Sequence, residues 1–191
     1  MAIALAGQDA WSAVNIGKDA DVAAGPEYTR VFQAAVDARE FASGSNVQDW
    51  NQATNMVITG QAGGQIMGDW AQGEFQVAGQ VAGVDYTCLS GLGEAEILDT
   101  GGDAFYFPVN NDPEIQAVQL ELASLLISPA VQVSFNLAKG SLPVRGDIDM
   151  SSANDFMQKG LDILASGNIL PSGDQSLTPD TQTQVEELMA E

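Results

Sequence analysis

Three side chains of different chemistry lie where a folded chain can present them to a ligand. Trp70 directly follows Asp69 at the end of a predicted strand, which is where α/β folds place ligands. Asp103 follows the glycine pair 101–102, which lets a ligand approach the backbone closely, and Lys139 lies at the end of a predicted helix. An indole can stack, a carboxylate accepts hydrogen bonds and an ammonium donates them. These types together suit a ligand that has both hydroxyl groups and apolar faces.

Each of the three also has a purely structural alternative. Trp70 could cover a helix as a packing residue, and Asp103 could cap the turn that precedes its strand. Lys139 could complement the dipole of its helix, an interaction worth about 0.3–1 kcal/mol. The residues by themselves leave these alternatives open.

The composition excludes several classes of catalytic and metal-binding site. The 191 residues contain no histidine, which removes histidine triads and imidazole catalysis, and their single cysteine, Cys88, permits no internal disulfide. With 26 acidic and 6 basic side chains, the net charge of −20 argues against nucleic acid or an anionic membrane as a partner. The stretch 147–149 lacks the rest of a calcium loop, and no motif singles out two carboxylates for glycoside hydrolysis. We therefore predict no metal, no cofactor and no enzymatic activity.

The hydropathy pattern predicts an α/β fold with a helix-rich second half, in one domain or a pair of small subdomains. Strands are predicted at 2–6, 64–70, 84–89 and 103–109. Helices are predicted to begin at Pro26, Asp49, Pro113, Pro129 and Pro179, and another helix is predicted to span residues 152–166. No apolar run reaches the length of a membrane span, and the amino terminus lacks the basic segment of a signal peptide.

Several motifs, in order along the chain, resemble one protein family. The stretches are 49–54 (DWNQAT), 56–63 (MVITGQAG), 67–75 (MGDWAQGEF), 102–105 (GDAF) and 135–145 (FNLAKGSLPVR). They resemble the bacterial extracellular solute-binding proteins that serve as the sugar-binding components of ABC importers, in particular the glucose/mannose type. The resemblance runs from about residue 5 to about residue 170.

The resemblance implies a periplasmic-binding-protein-like fold, in which two α/β lobes joined by a hinge bind a sugar between them. Residues 1–191 would be a single carboxyl-terminal lobe, with the amino-terminal lobe largely absent, as a natural, proteolytic or engineered piece. The family often pairs a cysteine in the position of Cys88 with a second one. The corresponding region here, 154–157, has none, so the resemblance implies a lone, buried thiol.

The resemblance also assigns roles to individual residues. Trp70 would be a stacking platform for a hexose such as glucose, and Asp103 and Lys139 would form hydrogen bonds with its hydroxyls. Trp11 resembles a tryptophan of the cleft wall, although it could equally be a core anchor. Gln8 is a candidate for a secondary contact by its residue type, with a solvated polar residue as the alternative.

The function that follows is that of the substrate-binding component of an ABC transporter, whose full-length parent is periplasmic or extracellular and docks on a membrane permease. Because this chain would supply one wall of the cleft, we expect weak monosaccharide affinity, and self-association through the exposed cleft and hinge surfaces. A structural module that reuses the fold without transport is the alternative, and a carbohydrate-active enzyme ranks last.

Overall fold

Helices dominate the computed structural model, which describes residues 1–173 and 177–190. The helices are α1 (Ala2–Ala6), α2 (Gln8–Asn15), α3 (Ala20–Ala23), α4 (Pro26–Ala42), α5 (Trp50–Ile58), α6 (Ala71–Val77), α7 (Pro113–Leu126), α8 (Pro129–Lys139), α9 (Asp155–Ser166) and α10 (Pro179–Ala190), with one 3₁₀ turn at Ser90–Gly93. Among the described residues, β1 (Leu98–Thr100) and β2 (Ile169–Pro171) pair in parallel, with Leu98 opposite Ile169. The result is a helix-rich α/β structure with one small parallel sheet.

The first of two compact units consists of Met1–Asn46, Leu89–Gly102 and the described residues from Ile163 onward. In its core, α1 packs on α4 through Ala6, Tyr28 and Val31. The prediction of a strand at residues 2–6 is wrong, because this segment is α1. A short apolar run does not by its periodicity distinguish a strand from a buried helix, and its alternating alanines are strong helix formers.

The second unit consists of Val47–Cys88 and Asp103–Asp162. It contains α5, α6, α7, α8 and the first part of α9. The strands predicted at 64–70, 84–89 and 103–109 are not formed in the described structure, where Ala82 and Tyr86 make only an isolated bridge. Apolar, β-branched or aromatic residues favour a strand, but a strand also needs a neighbour with which to pair.

The predicted helix starts are confirmed where a capping residue or proline marks them. The helices α4, α7 and α8 begin at their prolines, and the Asp112 side chain accepts a hydrogen bond from the Glu114 backbone N–H at 2.9 Å. Helix α8 ends at Gly140, which has a φ of +81°. The second half is helix-rich, as predicted, but helices also occupy much of residues 1–77, so the first half is helix-rich as well.

Within the described ranges, no individual helix is long and apolar enough to cross a membrane. Helices α7 and α8 reach that length and hydropathy only as a pair, bent by 64° at the break between them.

Candidate functional site

Helices α6 and α8 approach each other closely in the second unit, at the amino end of α6 and the carboxyl end of α8. Gly73 lies against the end of α8, where an added Cβ would come within 3.1 Å of the Lys139 carbonyl oxygen. Gly140 lies against α6, where an added Cβ would come within 2.5 Å of the Gln72 Cβ. The two glycines therefore allow an approach that brings the stretch around Asp69 beside the stretch that contains Lys139.

A buried amide network fixes this junction. Gln72 is only 4% exposed, and its Nε2 donates to the Gly140 carbonyl oxygen at 2.9 Å. Its Oε1 accepts from Asn154 Nδ2 at 3.0 Å, and Asn154 Oδ1 in turn accepts from the backbone N–H groups of Phe156 and Met157 at the start of α9. One satisfied network therefore joins α6, α8 and α9, and a buried amide that lost its partner would be costly.

Lys139 projects from the end of α8 and forms an ion pair with Asp103 Oδ2. The Lys139 side chain is 29% exposed and the Asp103 side chain 72% exposed, so the carboxylate remains accessible to solvent. The Lys139 Nζ also lies 5.9 Å from the ring centroid of Phe135, one turn earlier on α8. An exposed pair of this kind stabilises the fold by only about 0–1 kcal/mol. Its chemical importance is that it presents a strong donor and a strong acceptor side by side.

Asp69 extends this polar surface on the side of α6. Its Oδ1 accepts a hydrogen bond from Ser141 Oγ at 3.2 Å. Although the residue as a whole is exposed, its carboxyl group lies among protein atoms, and this burial raises the pKa of Asp69. Hydrogen bonds from Ser141 and from the backbone of Leu142, and the positive charge of Lys139, act in the opposite direction.

The raised pKa of Asp69 leads to a testable dependence of stability on pH. Because the folded state holds this proton more tightly than the unfolded state, the contribution of Asp69 to stability increases as the pH falls through its folded pKa. The free energy of unfolding of the native protein, minus that of the Asp69→Asn variant, should therefore rise as the pH is lowered through that range. Urea unfolding at a series of pH values measures this difference.

Asp147 supplies a matched control of opposite sign. The hydrogen bond from Arg145, at 2.8 Å from Nε to Oδ1, lowers the pKa of Asp147. The free energy of unfolding of the native protein, minus that of the Asp147→Asn variant, should therefore fall as the pH is lowered through the folded pKa of Asp147. Equal slopes for the two variants would contradict the assignment.

Trp70 is 42% exposed and directly precedes α6. Its indole lies over Gly68, where an added Cβ would collide with the six-membered part of the ring. Gly68 therefore leaves the space that the six-membered part of the indole occupies, and the Trp70 side chain stays partly open to solvent. In the described residues the indole N–H makes no hydrogen bond, so a ligand can use it.

Three of the five residues predicted from sequence lie in this unit. The structure joins Asp103 to Lys139 directly, and it places Trp70 next in the chain to Asp69, which the charge of Lys139 reaches. It shows no hydrogen bond or ring contact between Trp70 and that ion pair among the described residues.

The other two predicted residues, Trp11 and Gln8, lie on α2 in the first unit. Trp11 is only 4% exposed, which fits the alternative that it anchors the core. Gln8 is exposed. Their roles in binding stay predictions.

Sequence reasoning did not select Asp69, Ser141 or Phe135, although all three contact the site. Asp69 precedes Trp70 in a Gly-Asp-Trp run at a helix start, and Ser141 follows the Lys-Gly end of α8. Their positions close to Trp70 and Lys139 in the sequence are the signals that could have identified Asp69 and Ser141 as site residues.

Cys88 is a half-buried free thiol, and its pKa is raised by burial and by the negative charge of Asp69. The region 154–157, where the resemblance places the partner of such a cysteine, contacts the same segment. The Phe156 ring centroid lies 6.1 Å from that of Tyr86, which stacks on Phe75 at 4.1 Å. Among the described residues, no group of three or more aspartate, glutamate or cysteine side chains is arranged to hold a metal ion.

No protein-family model matches the chain. The chain is 35% identical over 164 residues to a protein of Rhizobium meliloti named "Probable sugar-binding periplasmic protein", a match that covers 85% of this chain and 39% of that protein. It is 47% identical over 102 residues to a Brucella suis protein of the same name, covering 53% of this chain and 24% of that protein. It is also 27% identical over 150 residues to a Pyrococcus horikoshii protein named "Uncharacterized ABC transporter extracellular-binding protein", covering 77% of this chain and 33% of that protein.

The chain therefore spans less than half the length of the curated relatives it matches. Between 53% and 85% of the chain is similar to a part of each of these proteins, whose names describe sugar binding or the extracellular binding protein of an ABC transporter.

Proposed function

We propose that this chain binds a monosaccharide as the sugar-binding part of the extracellular receptor of an ABC transporter. The observation that carries the proposal is the exposed Lys139–Asp103 pair on the surface of the second unit. The names of the relatives support it, since they describe sugar-binding periplasmic proteins and a transporter binding protein. The same resemblance favours binding over catalysis.

The side chains suit adjacent hydroxyl groups of a sugar ring. The Lys139 ammonium would donate a hydrogen bond to one hydroxyl oxygen, and the Asp103 carboxylate would accept a hydrogen bond from the neighbouring hydroxyl group. Asp69 and Ser141 extend the row of polar groups, while the exposed indole of Trp70 would cover an apolar C–H face of the ring. Specificity would come from the charged groups and affinity from the indole.

The ligand is a hexose such as glucose, and the chain is a single carboxyl-terminal lobe that works with a second lobe and a membrane permease, in the periplasm or outside the cell. With one wall of the cleft, the chain would make only part of the hydrogen bonds to the sugar and leave one sugar face in water, so we expect a dissociation constant in the millimolar range, about −4 kcal/mol or weaker.

The Trp70→Ala variant tests the stacking contact. It should weaken glucose binding about five- to tenfold, equivalent to about 1–1.4 kcal/mol, because the apolar sugar face loses its cover. Chemical-shift titration of the full chain with D-glucose measures the change and is sensitive to weak binding.

Trp50→Ala is the matched control, since Trp50 is 40% exposed, belongs to the same unit and lies at the start of another helix. If both tryptophan variants bind glucose as the native chain does, the stacking role is wrong. Micromolar affinity of the native monomer would contradict the single-wall arrangement.

We also expect the uncovered apolar surface to cause weak self-association. Sedimentation velocity that gives a clean monomer at high protein concentration would contradict this expectation.

A further inference from the structure

The indole and the ammonium of the candidate site are carried by two different helices. Trp70 directly precedes α6, and Lys139 is the last residue of α8. In the described part of the chain, no hydrogen bond or cation–π contact joins their side chains; the ring that the Lys139 ammonium faces is that of Phe135. The position of the indole relative to the ammonium must therefore be set by the backbone segments that carry them.

Two hydrogen bonds join the start of α6 to the end of α8. Gln72 Nε2 donates to the Gly140 carbonyl oxygen at 2.9 Å, and Ser141 Oγ donates to Asp69 Oδ1 at 3.2 Å. We call this pair of bonds the α6–α8 clamp. One bond is made by the residue before the tryptophan and the other by the residue two places after it, so the backbone of the tryptophan is held on both sides.

The turn at Gly140 makes the clamp possible. Its φ of +81° ends α8 in the left-handed conformation and turns the chain directly after Lys139. An added Cβ on Gly140 would lie 3.3 Å from the Asp69 carbonyl oxygen, so the absence of a side chain allows the close approach. The next residue, Ser141, thereby comes within hydrogen-bond distance of the Asp69 carboxylate.

Burial separates the residues of the clamp from the residues that a sugar can reach. Ser141 is 8% exposed and Gln72 is 4% exposed, whereas Trp70 is 42% exposed. The Ser141 hydroxyl also uses its single proton in the bond to Asp69. Ser141 and Gln72 are therefore suited to hold the site in place and poorly suited to contact a ligand.

The ion pair between Lys139 and Asp103 is the other interaction that could place the ammonium. The Asp103 side chain is 72% exposed, and an exposed pair holds a side chain only weakly. A sugar hydroxyl would also compete with Lys139 for the same carboxylate. The clamp does not depend on Asp103, so it persists when the ion pair opens.

We infer that Ser141 and Gln72 are positioning residues for the sugar site, and that they hold the indole of Trp70 and the ammonium of Lys139 where one sugar ring can contact both. Groups that are held in place before binding lose less conformational freedom when the ligand arrives, and this raises affinity. The inference rests on the proposed sugar-binding function and assigns to the buried clamp a share of the affinity.

The Ser141→Ala variant opens one bond of the clamp and removes little surface that a sugar can reach. It should weaken glucose binding about three- to fivefold, because the indole and the ammonium are no longer held together. Asp69 would keep its hydrogen bond from the Leu142 backbone N–H, so the variant should fold. Chemical-shift titration of the full chain with D-glucose measures the change, and native affinity in this variant would overturn the inference.

Thr54→Val is the matched control for the loss of a buried hydroxyl. Thr54 is fully buried in the same unit, and its Oγ1 lies 2.7 Å from Gln65 Oε1. Both substitutions delete one buried hydroxyl, so both should lower the free energy of unfolding, as urea unfolding would show. Only Ser141→Ala should weaken glucose binding. Equal loss of affinity in the two variants would reduce the effect to general stability and overturn the inference.

The indole N–H signal of Trp70 tests the positioning without sugar. In the sugar-free chain its chemical shift should move in Ser141→Ala and should match the native value in Thr54→Val. An unchanged signal in Ser141→Ala would overturn the inference. Absence of glucose binding by the native chain would instead contradict the proposed function, so the two failures can be told apart.

A double variant separates positioning from direct contact with the sugar. In the Trp70→Ala background, Ser141→Ala should weaken glucose binding by less than about twofold, because no indole remains to be placed and effects of coupled residues do not add. If the Ser141 hydroxyl contacted the sugar itself, the full loss would persist in this background. That result would overturn the positioning role.

Discussion

Replacing Asp103 by asparagine is expected to weaken glucose binding by about ten- to a hundredfold. A hydrogen bond to a charged group contributes about 1.5–3 kcal/mol, and an amide in place of the carboxylate removes that charge. The variant keeps the size of the side chain, and because the Asp103 side chain is 72% exposed, the free energy of unfolding should hardly change. Chemical-shift titration with D-glucose, together with a urea unfolding curve, measures both quantities.

The Asp147→Asn variant is the matched control for this effect. Asp147 is the acidic partner of a second ion pair, with Arg145, in the same unit. Its side chain is 66% exposed, so both substitutions remove one exposed carboxylate charge from a paired position. Equal loss of glucose affinity in the two variants would show that net charge, and not the position of Asp103, governs binding.

Replacing Gly140 by alanine is expected to destabilise the second unit by about 2–5 kcal/mol. The positive φ of +81° costs an L-residue about 1–2 kcal/mol. The added Cβ would also come within 2.5 Å of the Gln72 Cβ and would disturb the buried amide network, an overpacking effect of about 1–3 kcal/mol. Urea unfolding followed by circular dichroism measures the loss, and glucose binding should fall with it, because Lys139 is the preceding residue.

Gly79→Ala separates the two causes of this loss. Gly79 has a φ of +76° in the same unit, but an added Cβ there would meet no atom within 4 Å. The backbone penalty should be the same, about 1–2 kcal/mol, without any clash. A Gly140→Ala variant no less stable than Gly79→Ala would mean that the close approach of α6 and α8 is not required.

The helix starts could be predicted because their causes are local. A capping residue followed by proline, as at Asp112 and Ser128, acts within one turn of the chain, and the structure begins helices there. The segment 103–109 shows the limit of this reasoning. Its residue types favour a strand, but whether a strand forms depends on a neighbour, which no local pattern reveals.

The candidate site could be predicted in part. Trp70, Asp103 and Lys139 could be selected from their residue types and from the residues next to them. The structure joins Asp103 to Lys139, which are 36 residues apart. The hydrogen bond from Ser141 to Asp69 links residues 72 apart, and it depends on how α6 meets α8, which the spacing of residues does not encode. The burial of Trp11 likewise depends on tertiary packing.

The pairing of β1 with β2 has a consequence for the order in which the chain is assembled. Between Leu98–Thr100 and Ile169–Pro171 the ribosome must produce α7, α8 and α9. The first strand therefore emerges long before its partner exists, and the closure entropy of so long a loop opposes early pairing. The sheet of the first unit should accordingly form late in synthesis, so a nascent chain that stalls before Ile169 would be an open substrate for chaperones and proteases.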